Sequence, residues 1–285
     1  MRGPLGRALH SPRVLIALGM IACIGGCALF AGIIAPHDPG EQNLLSILSP
    51  PAWSAGGDSG FPLGTDSLGR DVLSRLIYGA RTAMLVALFA SLGAMIIGSV
   101  LAHIAGYFGG ALDWIIGRLV DVWMSFPPVI LSLILMVGLG VGLSKVILAI
   151  VLVDWTRFCR VLRSEVMIVT RNDYVAAARL LGFTHWQTIV REVLPATLPL
   201  LITLVSLEMA IAVVVEAILS FVGLGVGADQ PAWGQMIADA RQYVYQSPSN
   251  LLFPIVAIFL TVTAFNLLGD GLRRTLDVRL TEIGR

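Results

Sequence analysis

Side chains able to perform metal, redox or phosphate chemistry are few in this sequence, and their spacing does not favour such chemistry. The four histidines lie far apart and form neither an HxxxH nor an HExxH pattern, the spacings that place two metal ligands on one helical face. Cys23 and Cys27 lie within an apolar run and Cys159 lies among arginines, so the cysteines predict neither a disulfide framework nor a metal site. The only lysine, Lys145, is followed by Val146 rather than by Ser or Thr, which excludes a Walker A loop. We therefore expect this chain to be no enzyme and to bind no cofactor by itself.

Two acidic residues, Glu208 and Glu216, lie within a long apolar run and could carry proton chemistry. A charged side chain near the middle of a bilayer costs about 2.5–3.5 kcal/mol on an insertion scale, so each is expected to face protein or water. Glu216 lies near the outer end of the predicted span, where it either shapes an outer gate or forms a hydrogen bond between helices. Asp154, in another apolar run, is expected to pair with Arg157 or Arg160 rather than to bind substrate.

The elements that must position these residues are long apolar helices. Of the 285 residues, 56% are hydrophobic and only 13% are charged, whereas about 25% are charged in an ordinary soluble domain. Residues 14–35 form an uncharged run of 22 residues, long enough to cross a hydrocarbon core of about 30 Å at ~1.5 Å per residue. This run exceeds the apolar part of a secretory signal peptide, which favours a retained span. The sequence predicts an all-α polytopic membrane protein.

Five further apolar runs give six predicted transmembrane helices, with the second to sixth spans at about 82–105, 125–141, 146–158, 196–221 and 251–272. In this arrangement all but five of the 19 basic residues fall on one side of the membrane. Because Lys and Arg are enriched in cytoplasmic loops, both termini are predicted to be cytoplasmic. The predicted segments are a cytoplasmic N-terminus (1–13), a first span (14–35), an external segment with an interfacial helix (36–81), a core of five spans (82–272) that includes a polar loop (172–195), and a cytoplasmic tail (273–285).

The external segment is predicted to contain an amphipathic helix. Its apolar residues recur at helical spacing, and Asp71 and Arg75 are placed for an i, i+4 ion pair. This helix either steers the chain back into the bilayer or contacts an external partner. The apolar residues are Leu68, Val72, Leu73, Leu76 and Ile77.

The polar loop 172–195 is predicted to form a helix-turn-helix between two spans. Apolar residues at i, i+3, i+4 and i+7 indicate a short first helix that Asn172 or Asp173 can cap and Gly182 can end. Thr184 and Gln187 have the spacing of a capping box, and Pro195 is expected to limit the second helix. The apolar residues are Tyr174, Ala177, Ala178 and Leu181. Together with the small residues 176–178, they suit the hairpin for contact with another protein.

The loop resembles the EAA loop of bacterial ABC importer permeases, EAA-x3-G-x9-I-x-LP, through Ala176-Ala177-Ala178, Gly182 and Leu194-Pro195. Two positions depart from that pattern, because Ala176 stands where the family has Glu and Glu192 stands at a usually apolar position. The resemblance implies that the hairpin is a coupling helix that fits a groove on an ATPase subunit. It assigns this contact to Tyr174, Ala176, Ala177, Ala178, Leu181, Gly182, Thr184 and Gln187.

Further motifs resemble the second, C-type permeases of dipeptide, oligopeptide and nickel importers. They are GTDSLGRD (64–71), SRLIYGAR (74–81), GYFGG (106–110), LSFVGLG (219–225) and FNLLGDGLR (265–273). The resemblance implies a type I ABC importer permease fold in the bacterial inner membrane. It also implies a homologous permease, two ATPase subunits that bind ATP and Mg, and an extracytoplasmic substrate-binding protein as partners, with no nucleic acid. Di- or oligopeptides are the expected substrates, and nickel or a metal chelate is the alternative.

Two hypotheses of other classes remain open from the sequence. One is an ion-coupled secondary carrier that uses Glu208 and Glu216 as proton sites. Such a carrier is normally built from internal repeats, and the two halves of this chain show no convincing similarity. The other is a scaffold that transports nothing.

Overall fold

The computed structural model describes residues 11–227 and 229–276, so residues 1–10 of the predicted N-terminal segment and 277–285 of the predicted tail lie outside it. Within the described residues the regular elements are helices, and one isolated bridge joins Thr65 and Asp71. The helices are α1 (Pro12–Leu29), α2 (Ala31–Ile34), α3 (Val72–Phe108), α4 (Gly110–Met124), α5 (Pro128–Leu139), α6 (Leu143–Val169), α7 (Asp173–Leu180), α8 (His185–Thr188), a π turn (Ile189–Val193), α9 (Leu194–Phe221), α10 (Trp233–Ala240), a 3-10 turn (Arg241–Tyr243) and α11 (Pro248–Leu276).

Four helical stretches are long and apolar enough to cross a membrane by themselves: Pro12–Leu29, Val72–Phe108, His185–Phe221 and Pro248–Arg274. The pair α4 and α5, bent by 86°, adds a fifth if it forms one broken span. Helix α6 is also long, at 27 residues, but it carries two acidic residues, a lysine and three arginines. By length and composition the described residues therefore contain four or five candidate spans, whereas the sequence predicts six.

The predicted interfacial helix is not a separate element. Val72 begins α3, which continues for 37 residues through the predicted second span. Gly79, the first of four glycines in this helix, allows close packing instead of a break, since a Cβ there would lie 2.6 Å from Trp233 Cδ1. The predicted pair of Asp71 and Arg75 is also wrong. Asp71 instead caps α3 by accepting hydrogen bonds from the Ser74 backbone N–H at 2.9 Å and the Ser74 hydroxyl at 2.6 Å.

The predicted third span, residues 125–141, is shorter and more sharply bent in the structure. Helix α5 has only 12 residues. Pro127 and Pro128 separate it from α4 because the residue before a proline avoids the helical conformation and proline lacks an N–H donor. Pro127 accordingly has φ −59° and ψ 125°.

The bundle is organised by close contact between α3 and α6. Small residues of α3 face bulky residues of α6, and a Cβ on Gly98 would lie 2.4 Å from the Trp155 carbonyl oxygen. In membranes, where lipid competes for apolar surface, such small residues allow helices to approach and pack. The buried cluster around this contact also contains Phe158 and Leu162 and extends to Leu201 of α9.

The connection between α2 and α3, residues 35–71, is held in place by buried polar contacts. Asp66 accepts hydrogen bonds from the Leu68 and Arg70 backbone N–H groups and from Arg70 Nε at 2.6 Å. Arg75, which is buried, has its Nε 3.7 Å from Asp66 and its Nη2 3.8 Å from Asp239 of α10. This network fixes the connection against the start of α3 and against α10.

Candidate functional site

The polar hairpin between α6 and α9 forms as a pair of short helices. Helix α7 begins after Asn172, whose side chain makes no capping hydrogen bond, and ends in a Schellman motif. In that motif Gly182 N–H donates to the Arg179 carbonyl at 3.0 Å, and Phe183 N–H donates to the Ala178 carbonyl at 3.2 Å. Gly182 has φ +92°, a conformation that L residues rarely adopt. Gly182 therefore sets the turn, as the sequence predicts.

The second helix of the hairpin starts with the predicted capping box. Thr184 Oγ1 accepts from Gln187 N–H at 3.3 Å, and Gln187 Oε1 accepts from Thr184 N–H at 2.9 Å. Pro195 does not end the helical path as predicted. A π turn with an i to i−5 bond from Leu194 N–H to the Ile189 carbonyl comes just before it. The wider turn accommodates the proline, so the path is helical from α8 to the end of α9.

One face of α7 packs on the bundle and the other is open. Val175 and Ala178 are buried, and Val175 joins the same core cluster as Val193 of the π turn. Ala178 therefore contacts the bundle, although the sequence assigns it to the outward contact. The other seven predicted contact residues are exposed: Tyr174, Ala176, Ala177, Leu181, Gly182, Thr184 and Gln187.

Two strongly exposed apolar side chains of the hairpin are absent from the eight residues named above, although both fall within the stretches 174–181 and 184–189 that the sequence assigns to the ATPase contact. Leu180 is 90% exposed and Trp186 is 65% exposed, and both lie near the predicted Leu181, which is 81% exposed. The helical period assigned to α7 leaves out Leu180. The consecutive leucines before a helix-ending glycine, followed closely by a tryptophan, are the sequence signal for this patch. We name Leu180, Leu181 and Trp186 the apolar tip.

The hairpin also contacts the end of α3. His185 Nδ1 lies 3.1 Å from the Tyr107 hydroxyl, and the two rings meet edge to face with centroids 5.7 Å apart. Phe108 lies against the same histidine, at 5.6 Å between ring centroids. Helix α8 thus contacts α3 and also continues through the π turn into α9.

Glu208 and Glu216 are both buried but do not lie in one site. Glu208 is bonded across helices, because Arg157 Nη1 of α6 donates to its Oε2 at 3.2 Å. Arg157 Nη2 also lies 3.4 Å from Asp154 Oδ1, which confirms the predicted pairing of Asp154. Glu216 instead accepts a hydrogen bond at 2.6 Å from Ser220 of its own helix, not from another helix.

The described residues contain no group of three or more His, Cys, Asp or Glu side chains that could hold a metal ion. The geometry therefore offers two features: an exposed apolar tip on the hairpin, and a buried ion-paired cluster between α6 and α9. The exposed apolar tip is typical of a protein that contacts a partner.

Comparison with known proteins agrees with this class. The family of binding-protein-dependent transport system inner membrane components matches residues 94–282. An inward-facing structure of the MetNI methionine ABC transporter superposes with a TM-score of 0.58, covering 70% of this chain and 95% of that chain at 19% identity. The chain thus has the fold of an ABC importer permease.

Curated relatives extend over nearly the whole sequence. The di/tripeptide transport system permease protein of Pseudomonas aeruginosa is 39% identical over 271 residues, covering 95% of this chain and 89% of the relative. The glutathione transport system permease protein of Pectobacterium atrosepticum is 37% identical, covering 94% and 87%. The nickel transport system permease protein of Escherichia coli K12 is 38% identical, covering 94% of each.

The chain belongs to the family of binding-protein-dependent transport system inner membrane components. It is a multi-pass protein of the bacterial inner membrane and a non-catalytic permease subunit, since ATP is hydrolysed by partner subunits in this class of transporter. Neither the ion-coupled carrier nor the scaffold hypothesis fits membership in this family.

Proposed function

We propose that this chain forms half of the translocation pathway of an ATP-driven importer of di- or oligopeptides. Its partners are a homologous permease, two ATPase subunits and an extracytoplasmic substrate-binding protein. The peptide substrate is supported by the di/tripeptide and glutathione permease relatives. The contact with the ATPase subunits is supported by the apolar tip, which is exposed in a chain whose family works with partner subunits. Exposed apolar surface of this kind is typical of a protein contact.

The topology that fits this function has six spans with both termini in the cytoplasm. Helix α6 supplies a span in addition to the four apolar stretches and the bent pair, because each of its three arginines is paired with a carboxylate. Arg163 pairs with Asp113, Arg160 pairs with Asp121, and Arg157 pairs with Asp154 and Glu208. The arginines of α6 and of the hairpin then lie on the cytoplasmic side, in agreement with the positive-inside rule.

In the proposed mechanism, the hairpin carries ATPase movement into the bundle. ATP binding and hydrolysis in the partner subunits supply the energy. The apolar tip is held by the ATPase, while Val175 and Val193 anchor the hairpin in the core cluster. Because the π turn joins α8 directly to α9, and Tyr107 joins His185 to α3, displacement of the tip tilts both spans. Opening and closing of the pathway follow from this tilt.

The contact is tested by Leu180→Asp combined with Leu181→Asp. Both side chains are exposed, so the stability of the chain is expected to change by no more than about 0.5 kcal/mol per site. Leu45→Asp is the matched control, since Leu45 is 98% exposed but lies in the connection predicted to be external. The measurement is recovery of the ATPase subunits when the tagged permease pair is purified from membranes.

We expect the double variant to insert at the wild-type level, to lose the ATPase subunits and to abolish uptake, whereas Leu45→Asp keeps both the subunits and uptake. Full recovery of the ATPases with the double variant would contradict the proposed contact. Substrate class is tested separately by uptake of radioactive Ala-Ala and of radioactive nickel in a strain that lacks its own importers. The nickel-transport relative makes the metal the second candidate, and uptake of nickel without Ala-Ala would replace the peptide assignment.

A further inference from the structure

We propose that the break between α4 and α5, residues 125–127, lines the translocation pathway and that backbone carbonyls at this break bind N–H groups of the passing peptide. We name residues 125–127 the helix break. This inference rests on the proposed function, because it takes a peptide as the transported substrate and α6 as a span. It adds a substrate contact within the membrane, separate from the ATPase-coupling hairpin.

The helix break lies near the middle of the membrane. Trp123 Nε1 donates to the Leu152 carbonyl at 2.6 Å. Leu152 follows Leu143, the start of α6, by a helical distance of about 14 Å at ~1.5 Å per residue. Helix α5, with 12 residues, connects the break to the turn before α6 over about 18 Å. Both lengths are close to half of a hydrocarbon core of about 30 Å.

The helix break leaves backbone acceptors without donors. Pro127 and Pro128 have no N–H to donate to the carbonyls four residues before them. Within the described residues, the carbonyl oxygens of Met124, Ser125 and Phe126 accept no backbone hydrogen bond. All five of these residues are exposed. Irregular backbone of this kind does not face lipid in the hydrocarbon region, so it must face water or protein.

A polar cavity beside the helix break favours water. This cavity, of about 320 Å³, lies between α5, α6, α9 and α11, and its volume is in the range of small-molecule sites, about 300–1,000 Å³. Pro128, which follows the break directly, lines the cavity together with the ion pair of Asp154 and Arg157. Charged side chains within a membrane face protein or a water-filled space. Unpaired carbonyls and a charged pair therefore border the same space, as expected of a hydrated pathway.

Carbonyl oxygens select a ligand that carries donors, because they can only accept hydrogen bonds. A dipeptide has N–H groups on its ammonium end and on its amide, so it supplies what the helix break lacks. The other walls of the cavity are mainly aliphatic and include Val214, Val215 and Ile218. Such walls accept varied side chains, while the carbonyls contact groups that all peptides share.

The test measures how fast a thiol at the helix break reacts with a sulfonated methanethiosulfonate, which does not enter lipid. Phe126→Cys is the reporter, in a background with Cys23→Ser, Cys27→Ser and Cys159→Ala. Ile96→Cys on α3 is the matched control, since Ile96 is 57% exposed and Phe126 is 50% exposed. The complete importer is used in nanodiscs, without its binding protein, so that ligand selection by that protein does not contribute.

Ile96 lies at the same depth as the helix break, but on an unbroken helix. Two close contacts between α3 and α6 set this level, because Ile96 lies between them on α3 and Leu152 lies between them on α6. The contacts are Gly93 with Val151 and Gly98 with Trp155. The two reporters therefore differ in the backbone around them rather than in depth.

We expect Phe126→Cys to react at least about tenfold faster than Ile96→Cys, because the reactive thiolate forms in water and not in lipid. Ser125→Cys is a second reporter at the helix break if Phe126→Cys fails to assemble.

Two ligands then test the carbonyls: Ala-Ala and lactoyl-lactate, an analogue in which oxygen replaces each nitrogen and a single O–H replaces the N–H donors. At about ten times its half-protecting concentration, Ala-Ala should slow the reaction of Phe126→Cys about tenfold, as site occupancy requires. Lactoyl-lactate at the same concentration should leave the rate unchanged. Pro127→Ala combined with Pro128→Ala restores two N–H donors and should remove the protection. If this variant fails to assemble, the comparison of the two ligands still decides.

A reaction at the helix break no faster than at Ile96→Cys overturns the proposal, and so does equal protection by both ligands or by neither. Uptake of Ala-Ala by the wild-type importer with its binding protein separates the two proposals. Uptake without these effects means that the peptide importer stands and this site fails. Absence of uptake means that the proposed function has failed, whatever the labelling shows.

Discussion

Replacement of Gly182 should uncouple ATP hydrolysis from uptake in a graded way. Its φ of +92° lies where L residues are strained, and a Cβ there would meet no heavy atom within 4 Å. The penalty for Gly182→Ala is therefore conformational rather than steric, about 1–2 kcal/mol. That energy changes the ratio of the native turn to rearranged turns by a factor of roughly 5–30. Because Gly182 is exposed on the hairpin, insertion of the chain into the membrane should be unaffected.

Two further replacements of Gly182 test the same reasoning. Gly182→Asn should be milder than Ala, because Asn tolerates the left-handed region better than most residues. Gly182→Pro should be more severe. Proline fixes φ near −65° and removes the N–H that donates to the Arg179 carbonyl at 3.0 Å, a cost of about 3 kcal/mol or more. The expected order of coupling is Gly, Asn, Ala, Pro.

The assay measures uptake per ATP hydrolysed in proteoliposomes that contain the whole importer and its loaded binding protein. Gly117→Ala is the control, since Gly117 lies within helix α4 and also has no heavy atom within 4 Å of an added Cβ. It should leave coupling unchanged and favour the helix by about 0.5–1 kcal/mol. Wild-type coupling in Gly182→Ala and Gly182→Pro would refute the role of this turn.

Two more predictions concern stability of the fold around the hairpin and the connection. Asp66→Asn leaves the buried Arg75 without its nearer carboxylate and should destabilise the importer by about 3 kcal/mol, measured as a lower Tm. The control Asp58→Asn, at an exposed turn, should leave the Tm unchanged. An unchanged Tm for Asp66→Asn would show that the network adds no stability. Thr184→Ala removes the cap on Gln187 N–H and should cost about 1 kcal/mol, measured as faster hydrogen exchange of the Gln187 amide; unchanged exchange would contradict the capping box.

Local rules explain why much of the hairpin is visible in the sequence. The Gly182 turn and the capping box of Thr184 and Gln187 depend on residues within a few positions of each other, and the structure has both. The predicted effect of Pro195 is wrong because a π turn, which no residue type specifies, absorbs the proline. The predicted contact role of Ala178 conflicts with its burial, which depends on how the whole of α7 is rotated against the bundle.

Charge pairs likewise divide into those that local spacing predicts and those that depend on the whole fold. Asp154 and Arg157 are three residues apart on one helix, so their contact is predictable from spacing. The expected contact of Asp71 with Arg75 has equally suitable spacing but does not form. Asp71 caps α3 instead, and Arg75 turns to Asp66 and to Asp239, which is distant in sequence.

By itself the sequence determined the class of protein, because hydropathy, basic residues and the motifs of the loop are properties of short stretches. It also indicated the position of the hairpin and the expectation that energy comes from a partner. Only the tertiary structure decided that the predicted interfacial helix and second span form one helix, α3. It also decided that Arg157 pairs with Glu208 and which side of α7 remains exposed. These depend on packing between segments far apart in the chain, since a side chain is buried or paired only once its neighbours are in place.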